Sequence, residues 1–307
     1  MTLLHWTLPL PAGYRRDDVI AFHSRDGEAV AEQVTPTGLR KGILLRGSAV
    51  VLDVAFTDAA AICRAEIDGN DNTVAEMQTP LHGALLNILG LRIDPQPFAQ
   101  LAAADPLLAP LIRLNPGLRI VQSASPFEAL TWAIIGQQIN LPFAISLRRT
   151  FILQAGRRHG SGLWCYPEAR DVTRLSVEDL TSRKFSRAKA DTVLRLARLI
   201  DEGALSLELP PSGEVAAMSQ ALLAVKGIGP WTVNYALLRG YGYADCSLHG
   251  DVAIRAALQK LLGEESKPDM ARTEQWLRQY APHRTMAAAH LWASLHAPAK
   301  NILPVRE

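Results

Sequence analysis

Cysteine is scarce in this 307-residue chain, which contains only Cys63, Cys165 and Cys246. The three lie far apart in the sequence, so no pair has the short spacing of metal ligands and no disulfide framework is predicted. A chain of this length buries about 75% of its unfolded surface and can fold without a cross-link. The scarcity of cysteine excludes a zinc ribbon or a four-cysteine cluster, and it fits a reducing cytosol.

A long apolar run is also missing. Residues 97–114 are mostly apolar, but Asp105, Arg113 and three prolines interrupt them, which excludes one clean membrane-spanning helix. Residues 1–11 have no basic leader and contain two prolines, so we expect no export signal. These features predict a cytoplasmic protein without a membrane partner.

The net charge is close to zero, with 32 Lys and Arg against 30 Asp and Glu. The basic residues concentrate in residues 148–198, where 12 of them face 5 acidic residues, and the rest of the chain has 20 against 25. Such a segment is typical of a face that binds a polyanion, and equally typical of a solvated helical surface. Charge alone leaves both interpretations open. Within the segment, Arg187 and Lys189 stand at a predicted helix start, and we expect their side chains to be solvated.

Short β-branched or alternating runs characterise the first 80 residues. They predict strands separated by turns at 25–27 and 36–38, the strands lying at 19–22, 29–34, 42–45 and 49–56. Residues 58–67 (DAAAICRAEI) predict a helix. This part of the chain therefore predicts a small sheet with one or two helices.

Helical patterns dominate from about Pro80 onward. Ser125 is a helix N-cap residue, Pro126 suits the first helical position and Glu128 completes a capping box. Apolar residues at helical spacing predict helices at 80–89, 98–103, 106–114, 126–135, from 142 onward, 175–180, 188–200, 214–225, 230–239, 251–262, 271–280 and 285–295. The chain is therefore predicted to have a small α/β part followed by a large all-α part.

The most informative segment is 219–240 (SQALLAVKGIGPWTVNYALLRG). One helix ends at Gly227, where glycine permits the left-handed conformation, Pro230 begins the next helix, and Gly240 ends it. The tip of this tight hairpin has little side-chain bulk, so a phosphate can approach the free N–H groups of the second helix without any base being read. Any two packed helices can share such a turn, so the hairpin alone leaves DNA binding and simple packing open.

Three neighbouring features also have two interpretations each. Asp251, 22 residues after Gly229, is either an ordinary helix N-cap or a carboxylate that faces the groove beside the hairpin. The aromatic residues at 231 and 235 lie one helical turn apart and form either a core pair or part of a pocket. The glutamines at 137 and 138 are either a plain helix surface or a contact site.

Three motifs in a fixed order carry a family resemblance. They are AIIGQQ at 133–138, LAVKGIGPWT at 223–232 followed by Asp251, and HLW at 290–292. In this order they resemble the helix-hairpin-helix DNA glycosylases, and specifically the DNA-3-methyladenine glycosylase II (AlkA-type) family. The resemblance covers nearly the whole chain and includes its first residues, Leu3 to Trp6.

The resemblance implies an α+β fold. A small N-terminal antiparallel sheet with helices, similar to that of TATA-box-binding protein (TBP-like), is expected to precede an all-α helix-hairpin-helix glycosylase core. The implied domains are residues 1–80, a helical domain of residues 120–245 that contains the hairpin, and a second helical domain of residues 81–119 plus 246–307. The active-site cleft is expected between the two helical domains.

The activity implied is that of base-excision DNA repair. A monofunctional glycosylase would hydrolyse the N-glycosidic bond of alkylated purines, such as 3-methyladenine and 7-methylguanine, after base flipping. Trp231 stands where bifunctional members have a lysine that forms a Schiff base, so no lyase activity is expected. The nearest lysine, Lys226, lies five residues earlier, and the four C-terminal cysteines of the iron–sulfur members are absent.

By resemblance, four aromatic residues line the base pocket: Phe22, Trp231, Tyr235 and Trp292. Electron-rich rings suit alkylated purines, which are cationic. Asp251 is expected to be the catalytic residue, which stabilises the oxocarbenium-like sugar and orients water. Asp245 is the nearest alternative in the sequence, but it lies off the motif position.

The implied DNA contacts come from Gln137, Gln138, Gly227, Gly229 and Thr232. Gln137 and Gln138 occupy positions that fill the gap left by the flipped nucleotide, and the family has an apolar wedge where this chain has Gln138. No cofactor is required by the resemblance. A structural monovalent cation, Na⁺ or K⁺, is implied at the hairpin, held by the backbone carbonyls of Leu223, Val225 and Gly227.

Two other functions stay open at this point. One is a non-catalytic helix-hairpin-helix protein that binds DNA structure, against which Asp251 and the pocket aromatics argue. The other is an unrelated helical enzyme, which predicts no DNA affinity. The expected partner is double-stranded DNA that contains alkylated bases, met at the nucleoid, with no obligate protein partner.

Overall fold

The computed structural model describes residues 1–69, 74–209 and 214–295. An antiparallel N-terminal sheet is formed by β1 (Thr2–Pro9), β2 (Glu32–Thr35), β3 (Gly38–Leu45), β4 (Ser48–Phe56) and β5 (Ala60–Asp68). The order across the sheet is β1-β5-β4-β3-β2. A short hairpin, β6 (Arg157–Arg158) and β7 (Trp164–Cys165), was not predicted from the sequence.

Helices make up most of the remaining described chain. They are α1 (Arg16–His23), α2 (Val74–Ile88), α3 (Gln96–Leu101), α4 (Leu108–Leu114), α5 (Pro126–Gly136), α6 (Leu141–Ala155), α7 (Ala169–Val172), α8 (Val177–Thr181), α9 (Arg187–Asp201), α10 (Val215–Leu223), α11 (Pro230–Ala236), α12 (Val252–Leu262), α13 (Met270–Arg278) and α14 (Arg284–Ser294). A π-helical turn, Leu237–Tyr241, continues α11. The predicted α+β class is confirmed, whereas the TBP-like comparison and the domain boundaries stay predictions.

The helix predicted at 58–67 is wrong, because these residues form β5. Ala61, Cys63, Ala65 and Ile67 are buried, and the residues between them face outward. This period of two is the pattern of a strand with one covered face. Alanine is the best helix former, and its abundance here hid the alternation.

The strand predicted at 19–22 is also wrong, because α1 occupies these residues. Val19 and His23, one helical turn apart, form its buried face. The strand predicted at 29–34 begins only at Glu32, whereas those at 42–45 and 49–56 are confirmed within β3 and β4. A run of four apolar residues is too short to distinguish the period of a helix from that of a strand.

The predicted helices are present, with shifted ends. Helix α2 begins at Val74 rather than Pro80, and the proline lies inside it. Gly240 does not end the hairpin's second helix, because the chain continues through the π-helical turn and leaves it at Gly242, with φ of +66°. A Cβ atom at Gly240 would lie 2.8 Å from the Cα of Pro126, so this glycine permits close packing against α5. None of the described helices is long and apolar enough to cross a membrane.

A buried ion cluster joins the sheet to the helices. Lys41 of β3 donates to Glu32 at 2.5 Å and to Glu128 at 2.8 Å, and Arg148 of α6 donates to the same two carboxylates. Burial alone would raise the pKa of Glu32, but the charges of Arg148 and Lys41 outweigh it and hold that pKa well below its usual value.

The predicted capping box at Glu128 is therefore wrong in part. Ser125 does cap α5, since its Oγ accepts from the amide of Glu128 at 3.2 Å. The carboxylate of Glu128, however, turns into the ion cluster and accepts from the amide of Ala124 at 2.9 Å. Partners from distant β3 and α6 decide its direction, and local sequence does not reveal them.

Candidate active site

The hairpin between α10 and α11 has the predicted left-handed glycine. Gly227 has φ of +100°, and a Cβ atom there would lie 2.1 Å from Oγ1 of Thr192 in α9. Gly229 is the N-cap of α11, has an ordinary negative φ, and would place a Cβ in open space. The two glycines therefore serve different purposes: Gly227 closes the turn onto α9, and Gly229 keeps the outer surface of the tip bare.

The loop after α5 lies against this hairpin. Gln137 Nε2 donates to the carbonyl oxygen of Gly227 at 3.2 Å and to Oγ1 of Thr232 at 3.0 Å. Thr232 itself is buried, so its hydroxyl holds Gln137 rather than facing outward. Gln138 is exposed and has φ of +56°, a conformation that few residues other than glycine adopt. Of the two glutamines, only Gln138 extends freely from the loop.

Asp251 stands at the start of α12, where the predicted N-cap is confirmed and the carboxylate also contacts two tryptophan side chains. Its Oδ1 accepts from the amides of Ala253 and Ile254, each at 2.9 Å, which is an N-cap. The same carboxylate accepts the indole N–H of Trp231 on Oδ2 at 2.9 Å and that of Trp292 on Oδ1 at 3.3 Å. Oδ2 thus has one described donor and keeps a lone pair for a further contact.

Aromatic rings surround this carboxylate. The ring centroids of Trp231 and Tyr235 are 5.2 Å apart with the planes tilted by 32°. The hydroxyl of Tyr235 accepts the indole N–H of Trp132 from α5 at 2.9 Å. Helices α5, α11 and α14 therefore each contribute a ring, and of the predicted residues Trp231 and Trp292 contact Asp251 whereas Tyr235 packs against Trp231.

Phe22 reaches the same region from the N-terminal part of the chain. The Cζ atom of Arg239 lies 5.1 Å from the ring centroid of Phe22 and 5.7 Å from that of Trp292. Arg25 stacks on Phe22 at 3.7 Å and donates from Nε to its carbonyl oxygen at 2.8 Å. The structure thus brings Phe22 to the predicted aromatic group, with an arginine between it and Trp292.

Sequence reasoning missed Trp132, Arg25 and Arg239. A signal existed for Arg239, because it follows Trp231 by eight residues and Tyr235 by four, a spacing that keeps all three on one helical face. Arg25 and Trp132 gave no such signal. They come from separate parts of the chain, and only the fold brings them together, with Cζ of Arg25 5.6 Å from the ring centroid of Trp132.

Asp245, the alternative catalytic carboxylate, and several residues of the basic segment 148–198 make contacts away from Asp251. Asp245 accepts from Nε of Arg284 at 2.7 Å and from its Nη2 at 2.8 Å. Lys189 was expected to be solvated, but it is partly buried and donates to the carbonyl oxygen of Ile135, the last turn of α5, at 2.7 Å. Arg187 is exposed as expected. Arg148, Arg149 and Arg174 form ion pairs, so part of the segment's positive charge is paired within the fold.

The described residues contain no group of three or more His, Cys, Asp or Glu side chains that could bind a metal ion. At the hairpin, Val225 O accepts from the amide of Ile228 at 3.0 Å, and Gly227 O accepts from Gln137. Each carbonyl keeps a second lone pair. Carbonyl oxygens are suitable ligands for a hard monovalent cation. The carbonyl groups of Leu223, Val225 and Gly227 are therefore chemically compatible with the implied ion.

No protein-family model matches the chain. Its overall fold is similar to that of a solved 3-methyladenine DNA glycosylase from Archaeoglobus fulgidus, with a TM-score of 0.78 over 94% of this chain and 97% of that one, at 20% identity. A likeness at this identity establishes the fold alone.

Sequence comparison establishes the family. The DNA-3-methyladenine glycosylase of Bacillus subtilis (strain 168) is 32% identical over 206 residues, which are 66% of this chain and 68% of that protein. The DNA-3-methyladenine glycosylase 2 of Escherichia coli (strain K12) is 28% identical over 58% of this chain and 61% of its own length. On these grounds the chain belongs to the DNA-3-methyladenine glycosylase family of helix-hairpin-helix fold.

Proposed function

We propose that this enzyme is a monofunctional DNA glycosylase of base-excision repair that releases alkylated purines, such as 3-methyladenine and 7-methylguanine, from double-stranded DNA. The observation that carries the proposal is the carboxylate of Asp251, on which two indole N–H groups converge. A helix cap needs only the two backbone amides, so the indoles imply a second use of this carboxylate. The names of the relatives support the substrate class.

The aromatic group supplies the binding energy for a flipped base. An alkylated purine carries a positive charge, and a cation over a desolvated ring gains about 2 kcal/mol. Stacking of a base on an aromatic side chain contributes about 1–3 kcal/mol. Trp231, Tyr235 and Trp292 therefore favour an extrahelical, charged purine over a normal base that stays stacked in the duplex.

Asp251 supplies the charge that the reaction needs. The bond between C1′ and the base nitrogen breaks with both electrons going to the base, and positive charge develops on the sugar. A fixed carboxylate beside that sugar stabilises the charge. Oδ2, with its spare lone pair, orients the attacking water and accepts its proton as the new C1′–O bond forms. The cationic base leaves as a neutral molecule and needs no protein acid.

Water, rather than an amine, acts as the nucleophile. Trp231 occupies the position of the lysine in bifunctional members, and its indole nitrogen donates to Asp251. Lys226, the nearest lysine in the sequence, is exposed on the hairpin. We therefore expect an intact abasic strand as the product and no lyase activity.

The hairpin and the loop beside it form the proposed DNA contact. The bare tip at Gly229 permits a phosphate to approach the first amides of α11. A monovalent cation held by the carbonyls of Leu223, Val225 and Gly227 would add positive charge at the same place. Gln138, exposed at the loop tip, would enter the gap left by the flipped nucleotide, whereas Gln137 and Thr232 hold that loop on the hairpin. A DNA substrate places the enzyme at the nucleoid, in the cytoplasm.

The proposal is tested by Asp251→Asn, which keeps the size of the side chain and removes its charge. Release of free base from methylated duplex DNA should fall by about 100-fold or more. Binding to a duplex with an abasic site should stay within a few fold of the wild type.

The matched control is Asp269→Asn, which alters the N-cap of α13, where Asp269 accepts from the amide of Arg272 at 2.7 Å. This variant removes the charge of a comparable cap, whose amide oxygen can still accept the same backbone N–H, and it should keep its activity. Excision at the wild-type rate by Asp251→Asn would mean that Asp251 is only a cap. Release of no base by the wild type itself would instead favour the non-catalytic DNA-binding function.

A further inference from the structure

Helix α9 supports both parts of the proposed DNA contact. Thr192 of this helix lies against the hairpin, since a Cβ atom at Gly227 would lie 2.1 Å from its Oγ1. Lys189, three residues earlier and therefore on the same face of α9, donates from Nζ to the carbonyl oxygen of Ile135 at 2.7 Å. Ile135 is in the last turn of α5, two residues before Gln137, where the loop after α5 begins. One face of α9 thus contacts the hairpin and the start of this loop.

The loop after α5 has a conformation that needs support from its surroundings. Gln138 has φ of +56°, a left-handed backbone that is unfavourable for residues other than glycine. Such a conformation persists only where neighbouring contacts fix the chain. Gln137 ties the loop to the hairpin through its bond to the Gly227 carbonyl oxygen. On the side of α5, the tie is the bond from Lys189 to Ile135.

The ammonium group of Lys189 is well suited to fix the end of α5. Carbonyl groups in the last turn of a helix have no partner within the helix, and they form the negative end of its dipole. Lys189 supplies both a donor and a positive charge there. Its side chain is partly buried, burial lowers its pKa, and no described carboxylate compensates for this cost. A partly desolvated charge is therefore committed to one backbone carbonyl at the point where the loop begins.

A fixed loop favours base flipping. When a lesion rotates out of the duplex, the space that it leaves must be filled, or the base returns to the stack. Gln138 fills that space at least cost if the loop already has its final conformation, because ordering a flexible loop on binding costs free energy. Bond cleavage at Asp251 comes after flipping and does not involve this loop.

We propose that Lys189 is a positioning residue for base flipping. It fixes the start of the loop after α5, so that Gln138 enters the gap left by the flipped nucleotide without a cost for ordering the loop. This inference rests on the proposed function, since flipping precedes the proposed bond cleavage. It also gives part of the basic segment 148–198 a function: this lysine acts on DNA through the loop and not by contact with a phosphate.

The test measures single-turnover release of 7-methylguanine from two duplexes. In the paired duplex the lesion is opposite cytosine, and in the unpaired duplex it is opposite an abasic-site analogue, so that no base pair has to break. Lys189→Met should slow release from the paired duplex by about tenfold, as expected for the loss of one charge-assisted hydrogen bond. Release from the unpaired duplex should slow by less than about twofold, because an unpaired base leaves the stack more readily. Lys189→Arg, which keeps the charge and a donor, should restore most of the rate on the paired duplex.

Gln138→Ala provides a direct comparison, because it removes the side chain that fills the gap. This variant should show the same dependence on pairing as Lys189→Met. In the double variant, the slowing should be smaller than the product of the two single effects, since both residues act on one step. Effects that multiply fully would mean that Lys189 acts independently of Gln138, and they would overturn the inference.

Arg174→Met is the matched control. Arg174 also places a cation at the end of a helix, since its Nη2 donates to the carbonyl oxygen of Ala155, the last residue of α6, at 3.4 Å. Its other bonds are to Asp171, so its removal should leave both rates unchanged. Thermal unfolding shows whether each variant is folded. If Lys189→Met is not, Lys189→Gln, which keeps a donor and removes the charge, takes its place.

The outcomes separate the inference from the proposed function. Failure of the wild type to release 7-methylguanine from either duplex contradicts the proposed function itself. Release by the wild type, together with an unchanged rate on the paired duplex in a folded Lys189→Met, overturns the inference alone. Equal slowing on both duplexes also overturns it, because Lys189 would then serve the general structure and not flipping.

Discussion

The carboxylate of Asp251 has more hydrogen-bond donors than a helix cap requires. Two backbone amides complete the cap of α12, and the indoles of Trp231 and Trp292 add two donors from α11 and α14. Charge-assisted bonds of this kind fix the direction of a carboxylate. The tryptophans therefore have two functions in our account: their rings hold the base, and their N–H groups orient the catalytic oxygen.

Trp231→Phe separates these two functions, since it keeps an aromatic ring and removes the N–H. A hydrogen bond to a charged group contributes about 1.5–3 kcal/mol, so we expect base release to slow by about tenfold or more under single-turnover conditions. The ring contact with Tyr235 should preserve most of the substrate affinity. Trp276→Phe, on the buried face of α13, is the control and should leave the rate unchanged. A wild-type rate in Trp231→Phe would show that the indole N–H is not used.

Local sequence predicted only part of this site. The N-cap position of Asp251 and the one-turn spacing of Trp231 and Tyr235 are visible in the sequence, but their site roles came from the family resemblance. Phe22 was placed in the pocket by resemblance alone, and its own segment was assigned to a strand although it forms α1. Arg25, which follows α1, and Trp132 of α5 meet only in the fold, and the sequence contains no periodic signal for this contact.

The hairpin of α10 and α11 depends on two glycines for different physical reasons. Gly227 has a left-handed backbone, which strains any other residue, and a Cβ atom there would clash with the side chain of Thr192. Gly229 has neither restriction in the free protein. Only a ligand that comes close to the tip would require glycine at 229.

Gly229→Ala is therefore the sharper probe of DNA docking. The free energy of unfolding should change by less than about 0.5 kcal/mol, as for an exposed substitution without special contacts. Affinity for duplex DNA should fall by a similar factor for every sequence and lesion, since the hairpin contacts only the backbone.

The companion variant Gly227→Ala should instead destabilise the fold by about 1–3 kcal/mol. Thermal melts and binding titrations on two unrelated duplexes measure both effects. Unchanged affinity in Gly229→Ala, or a loss confined to one sequence, would contradict phosphate docking at the tip.

Most helices could be predicted because apolar residues at helical spacing, caps and prolines all agree. The failures have identifiable causes. Residues 58–67 have the alternating apolar pattern of a strand but the alanine-rich composition of a helix. They form a strand because its apolar face is buried in the same core as α2. At Gly240 the composition suggested a helix end, but a π-helical turn continues there, and the glycine permits close packing against α5.

Buried polar groups that hold the parts of the chain together were invisible in the sequence. The cluster of Glu32, Lys41, Glu128 and Arg148 joins the sheet to α5 and α6. In α14, His290 stacks on Phe98 with centroids 5.6 Å apart, and burial lowers its pKa to about 4. Trp292, which donates to Asp251, lies two residues later on the same helix.

This histidine makes stability depend on pH. The folded pKa lies below the unfolded value of about 6.5, so the unfolded chain binds more protons as the pH falls below 6.5, and the fold loses stability down to about pH 4. We expect the free energy of unfolding to fall by about 2 kcal/mol between pH 7.5 and pH 5 from His290 alone. Buried His23, whose pKa is also lowered by burial, acts in the same direction. Urea unfolding at the two pH values measures the change.

His290→Phe provides the comparison, because phenylalanine keeps an aromatic ring against Phe98 and cannot titrate. Its unfolding free energy should depend on pH less steeply than that of the wild type over this interval. The same pH dependence in both proteins would contradict the assignment of His290 as a neutral, buried histidine.

The central claim is hydrolysis of a glycosidic bond by one carboxylate and water. The most direct measurement incubates the enzyme with duplex DNA methylated by dimethyl sulfate, resolves free bases by chromatography, and then treats the complex with borohydride. We predict release of 3-methyladenine and 7-methylguanine, a DNA strand that stays intact until alkali is added, and no trapped protein–DNA adduct. Absence of free base, or an adduct that reveals an amine nucleophile such as Lys226, would contradict the account.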